Sequence, residues 1–214
     1  NESVCLKCTK QLVKLANATK KDIHILHITT AEEIELLNKN KKFISYEVTP
    51  QHLVLSSPSC YNKLGTLAQM NPAIRSSRHQ NRLRKALKNN EIDIIGSDHA
   101  PHTLSEKKQK YPDSPSGMPG VQTLMPLLLN EVSKKTISIT NVVELTSFNP
   151  IKRFKVKDKG LIKEGYDADF TFVDLSMTKK ISNKLIKSKC GWTPFHGFII
   201  TIMLQQTGNL SSNE

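Results

Sequence analysis

The spacing of apolar residues opens the chain on a helix and then changes period. Residues 4–18 carry apolar side chains at helical intervals, among them Val4, Cys8, Leu12 and Leu15, which predicts a helix with one buried stripe. Residues 23–28 form a short Ile-rich run with His24 and His27 embedded in it, a pattern that predicts a buried strand. Thr30 followed by Glu33 matches a capping box and starts a helix over 31–38. Residues 43–48 predict a second strand, after which Thr49, Pro50, Gln51 and His52 enter a long loop. Residues 78–89 read as a basic helix, and 92–96 as a third strand that ends at Ser97, Asp98 and His99. A loop rich in Pro, Ser, Lys and Gly runs to Gly120, with helices over 121–134 and 140–148.

Alternating strands and helices imply βα units on a parallel sheet, an α/β fold. Three units make only part of a closed eight-stranded barrel. Composition changes near Lys155, where Gly160, Gly165 and Asp167 lead into a strand over 170–173. Two parts are therefore expected: a partial barrel over 1–154, and a small β-rich element with a C-terminal tail over 155–214. The segment after Phe198 is poorly patterned.

Composition narrows the picture. With 214 residues and 37% hydrophobic content, the chain can bury one core with a small appendage. No apolar stretch approaches the roughly 20 residues that span a bilayer, and no secretory leader is visible, so a cytoplasmic location is expected. The first residue is Asn1 rather than Met, which suggests a fragment. A net charge of +12 invites a nucleic-acid partner. The charge is nearly all Lys, scattered among Asn and Ile without an aromatic-studded basic face, so that partner is disfavoured. A positive field also suits a carboxylated substrate. Four cysteines fit a reducing compartment. Cys5 and Cys8 form a C-x-x-C inside a helical pattern, with no second pair to complete a zinc site, and read as core or surface thiols.

Two strand ends carry candidate chemistry. His27 closes the first strand, and an imidazole at the C-terminal mouth of a barrel strand suits a metal ligand. Strand alternation would put His27 and Ile25 on one face and His24 and Leu26 on the other. From spacing alone, a histidine satisfied by hydrogen bonds remains the stronger reading. Asp98 follows the third strand directly, with His99 and His102 next to it and Pro101 stiffening the turn. A carboxylate there can bind a metal and accept a proton from water. The density of this cluster favours function over a turn-capping Asp.

These residues carry a resemblance. GSDHAPHT at 96–103 closely resembles the strand-eight motif of dihydroorotases in the amidohydrolase superfamily. IHILHITT at 23–30 resembles the strand-six motif, and EVTPQHLVL at 47–55 a segment that usually has two adjacent histidines, the first here replaced by Gln51. MNPAI at 70–74 resembles the substrate-contact segment, SGMPGVQT at 116–123 the loop beside the substrate, and KCGWTPF at 189–195 a C-terminal signature. The resemblance implies the C-terminal part of a (β/α)8 barrel with a small β-rich element. It implies reversible hydrolysis of dihydroorotate to N-carbamoyl-aspartate, with one or two zinc ions. It makes His27 a metal ligand, and Asp98 both a ligand and the general base. Asn71, His102 and the backbone near Ser116 and Gly117 would contact the substrate.

The family pattern also includes an H-x-H pair, a bridging Lys or Asp, a further His, and an Arg for the substrate carboxylate. All belong before the His27 segment, and the 26 residues there read as one helix without them. Two ligands fall short of the three or more protein ligands of a catalytic zinc. The expectation is thus a half-enzyme needing a partner chain that supplies the missing strands. The alternative is a non-catalytic remnant or subunit that binds a partner enzyme.

Overall fold

A computed structural model describes residues 2–200 and, as backbone, 203–209. Helix α1 (Glu2–Thr19) leads into strand β1 (Ile23–Ile25), helix α2 (Ala31–Asn38) and strand β2 (Ile44–Val48). The expected capping box is present: the Thr30 hydroxyl accepts from Glu33 N at 3.2 Å, and Glu33 Oε2 accepts from Thr30 N at 3.0 Å. The segment expected to be a long loop instead folds into two short helices, α3 (Pro50–Val54) and α4 (Ser59–Leu64), and a 3-10 turn (Gly65–Ala68). Thr49 caps α3, and Pro50 at its start needs no helical N–H partner. Helix α5 (Ser77–Lys88) and strand β3 (Ile94–Ile95) complete the pattern.

The three strands form one parallel sheet in the order β1-β2-β3, with Ile23 opposite Ile44 and Glu47 opposite Ile94. Four of the five β2 residues are buried, as a parallel strand covered on both faces requires. The core gathers Ile28, Ile34, Leu37, Tyr46, Val48, Leu83, Leu87 and Leu128 around this sheet. Among the described residues only β2 pairs with β1 and only β2 with β3, so both outer edges of the sheet are open.

Helices α6 (Leu104–Lys107), α7 (Val121–Ser133), α8 (Ile139–Val143) and α9 (Asn149–Phe154) follow, with a π-helical turn (Glu144–Phe148) joining the last two. The helix expected at 140–148 therefore continues to Phe154. Strand β4 (Asp169–Asp174) and the short β5 (Lys179–Lys180) come next, then β6 (Ile199–Ile200) and β7 (Met203–Asn209). β4 pairs antiparallel with β7, and β5 with β6. The stretch after Phe198 thus carries strand that its sparse apolar pattern does not reveal; positions 201–202 and 210–214 lie outside the described residues. A second apolar cluster, with Met70, Met118, Trp192 and Phe195 at its centre, fills the space beneath the long connections.

His52 gives this core a pH signature. It is 2% exposed. Its Nδ1 meets the Thr49 hydroxyl at 2.7 Å and its Nε2 donates to the Pro72 carbonyl at 2.9 Å. Burial pulls its pKa down from 6.5 to about 4, against the opposing effect of the Pro72 bond. The unfolded chain therefore takes up this proton at a higher pH than the folded one. Stability is intact above the unfolded value and falls by about 1.4 kcal/mol per pH unit as the pH drops towards 4, about 3 kcal/mol in all. Denaturant titrations from pH 7 to 4 should show the chain losing stability relative to His52→Gln with this slope; a constant difference between the two would contradict it.

Candidate active site

Both strand-end residues singled out by the sequence sit in left-handed backbone, His27 at φ 54° and Asp98 at φ 41°. This conformation is uncommon for residues other than Gly, although His, Asn and Asp are enriched there. Lys20, Asn90, Lys135 and Lys155 share it one or two residues past a helix, where it is an ordinary terminator, and Asp158 shares it in the turn after α9. His27 and Asp98 follow strands. The strain of about 1–3 kcal/mol at each is held by the surrounding fold: Ile28 N bonds the Glu47 carbonyl at 2.9 Å, and Gly96 N bonds the Val48 carbonyl at 3.0 Å.

The result is a compact group of four side chains near the C-terminal ends of the strands. His27 Nε2 lies 3.6 Å from Asp98 Oδ1, and each side chain is about one-fifth exposed. His27 Nδ1 lies 2.8 Å from Glu47 Oε1. His24 Nε2 lies 3.2 Å from Glu47 Oε2, and His24 Nδ1 meets the Ser45 hydroxyl at 2.8 Å. The expected split of the two histidines between opposite faces does not hold. β1 ends at Ile25, and the left-handed turn at His27 swings its ring to the same carboxylate as His24.

Glu47 is the residue that sequence reasoning passed over. It is 6% exposed. Burial alone would raise its pKa, but the His24 and His27 rings against its two oxygens hold it down at about 2. The same contact raises His27 above its ordinary value; burial works against that rise and Asp98 adds to it. The available signal was one Glu within the apolar strand ISYEV.

Substrate-contact candidates gather on neighbouring loops. Asn71 and Ser116 line a cleft of about 660 Å³ with Arg75, Tyr61 and Tyr111. His102 Nε2 meets the Ser116 carbonyl at 3.2 Å, and the His102 carbonyl accepts from the Trp192 indole at 2.8 Å. Gly117, at φ 141°, passes so close to Ala100 that a Cβ would stand 2.7 Å from its carbonyl oxygen. Ala100 N in turn bonds the Met118 carbonyl at 3.0 Å, so the loop after Asp98 runs beside the Ser116 loop. His27 and Asp98 meet each other, and Asn71, His102, Ser116 and Gly117 form an adjoining group; the cleft is lined by members of the second group only. His99, next to Asp98, is turned away: its Nδ1 accepts from Gly120 N at 3.1 Å at the start of α7. Gln51 is fully buried and donates to the Ser97 carbonyl at 2.9 Å, which steadies the strand end before Asp98.

His27 and Asp98 fit part of a metal site. Their 3.6 Å separation is too long for a hydrogen bond. It suits two ligands sharing one ion at about 2.0–2.2 Å each. Glu47 Oε1 stands 2.8 Å from Nδ1, close but off the line of a hydrogen bond, which leaves Nε2 as the ring nitrogen that faces Asp98. The described residues hold no group of three or more His, Cys, Asp or Glu side chains placed for a metal. The Cys5 and Cys8 thiols are free and half-buried or exposed on α1. No described helix is long and apolar enough to cross a membrane.

Known proteins resemble this chain over most of its length. A family model described as "Amidohydrolase family" matches residues 5–200. A dihydroorotase of Methanosphaera stadtmanae is 37% identical over 214 residues, covering 98% of this chain and 49% of that protein. A dihydroorotase of Archaeoglobus fulgidus is 41% identical over 176 residues, covering 82% and 41%. Among solved structures, the L-hydantoinase (dihydropyrimidinase) from Arthrobacter aurescens superposes with a TM-score of 0.92 at 25% identity, covering 97% of this chain and 48% of that one. The chain spans about half the length of the curated relatives it matches.

Proposed function

Since the chain belongs to the amidohydrolase family, we propose that it forms part of a zinc-dependent dihydroorotase, interconverting dihydroorotate with N-carbamoyl-aspartate. The observation that carries this reading is the His27–Asp98 pair, held in strained backbone at two strand ends 3.6 Å apart. In this reading residues 1–154 are the part of a (β/α)8 barrel that carries strands 6 to 8, and residues 155–214 belong to a small β-rich domain. The remaining ligands come from residues outside these 214, on a longer chain or on a partner that pairs with the open sheet edges. The four free cysteines suit a cytoplasmic setting.

His27 and Asp98 would hold the zinc, which when bound polarises the ring amide and acidifies a water. Glu47 keeps the His27 ring oriented with Nε2 outward. Asp98 accepts the proton of the attacking water on its carboxylate and returns it to the leaving ring nitrogen. Asn71, the His102 imidazole and the backbone at Ser116 and Gly117 orient the ring and its carboxylate.

Zinc content tests the assignment. The chain is co-expressed with the portion of the Methanosphaera relative that the match leaves uncovered, and the purified complex is analysed for metals. At least one zinc per complex is expected, reduced by tenfold or more in His27→Asn, which keeps a residue tolerant of left-handed backbone. Absence of zinc from every combination would favour a non-catalytic, partner-binding subunit.

A further inference from the structure

Lys107 is a buried cation with no assigned task. It ends α6, a four-residue helix started by the Thr103–Glu106 capping box. Its side chain is fully buried, and among the described residues no carboxylate pairs with it. Taking an ammonium out of water costs several kcal/mol, and a Met of similar length would fill the space without that cost. What the ammonium does instead is join two backbones: Nζ donates to the Gln69 carbonyl at 2.8 Å and to the Pro115 carbonyl at 2.7 Å.

Those two carbonyls belong to the segments that carry the substrate-contact candidates. Gln69 stands two residues before Asn71, and Pro115 directly before Ser116. Further bonds tighten the same junction. Gly117 N donates to the Gln69 carbonyl at 3.0 Å, the Gln69 amide donates to the Ser114 carbonyl at 2.7 Å, and the Thr66 hydroxyl donates to the Lys107 carbonyl at 2.5 Å. A cation on the Pro115 carbonyl also polarises the Pro115–Ser116 peptide, so that the Ser116 N–H becomes a stronger donor. The positive charge behind the loop favours an anion in front of it.

We infer that Lys107 is a positioning residue that locks the Gln69–Asn71 segment to the Pro115–Gly117 loop and so sets the affinity of the cleft for a carboxylated cyclic amide. The locking stands on the geometry alone; the affinity rests on the proposed function.

Lys107→Met, in the 214-residue chain, separates the two. Hydrogen exchange at the Gly117 amide should speed up by about tenfold or more, while the β2 amides keep their protection. Unchanged Gly117 exchange, or a uniform rise that includes β2, would overturn the inference. In the complemented complex, KM for dihydroorotate should rise about tenfold with kcat within about threefold, the pattern of lost ground-state binding. Unchanged KM would overturn the affinity half. If the unmutated complex is inactive, the proposed function fails and the exchange result still decides the locking. Lys107→Gln keeps side-chain donors if Lys107→Met does not fold, and failure of both to fold would mark Lys107 as a core residue and overturn the inference.

Discussion

Asp98→Asn is expected to lower dihydroorotate hydrolysis by about 10²–10⁴-fold in the complemented complex, the range spanned by loss of a positioned general base. The substitution is chosen for the backbone. Asp98 sits at φ 41°, and Asn tolerates left-handed backbone as Asp does, whereas Ala would add strain and confuse the result. Asn keeps the shape of the side chain and removes its charge and basicity. Thermal stability should therefore change little while turnover collapses. Steady-state kinetics with a parallel melting curve check this. A variant that keeps more than a tenth of the parent rate would remove Asp98 from the chemistry.

Glu47→Gln should have the second largest effect, and on two observables. Glu47 braces the His27 ring at 2.8 Å, and loss of such a support weakens metal affinity by about 10–100-fold. Competition against a chelator in the complex measures that loss. In the metal-free chain, the buried Glu47 carboxylate has its pKa lowered from 4.5 to about 2. A lowered carboxylate contributes stability that is present above the unfolded value and lost as the pH falls through the folded one. The contribution is about 3 kcal/mol, lost between about pH 4.5 and 2. Glu47→Gln should flatten the stability curve in that window, below the 6.5-to-4 window that belongs to His52. Gly96→Ala should act in the same direction, because its Cβ would stand 2.2 Å from Glu47 Oε1 and push the carboxylate off its partners. An unchanged acid limb in Glu47→Gln would show that the contacts with His24 and His27 contribute nothing net.

These residues show what a single sequence reveals. His27 and Asp98 were legible because each closes an apolar run, and a strand end is a place where a polar side chain needs a reason. Helix α2 was legible in full because its capping box and its Ile34–Leu37 spacing agree. The left-handed turns at His27 and Asp98 were not, since His and Asp are enriched in that backbone yet adopt it at only a small share of their positions. That turn is why His24 and His27 meet on one carboxylate despite strand alternation. The short helices after Thr49 lack a full period of apolar positions. β7, MLQQTGN, has few apolar residues, and its pairing with β4 is set by a partner about 35 residues earlier. His99 and Lys107 sit in clusters, HAPH and EKKQK, in which nothing local tells which side chain turns inward. Burial of Lys107 is a tertiary event that only the fold decides.

The most direct test of the central claim is dihydroorotate hydrolysis by the chain, alone and with the uncovered portion of the Methanosphaera relative supplied in trans. No turnover is expected from the chain alone, and zinc-dependent turnover from the complex that Asp98→Asn removes. A complex that assembles, contains zinc and still leaves dihydroorotate unchanged, or one whose turnover survives Asp98→Asn, would contradict that claim.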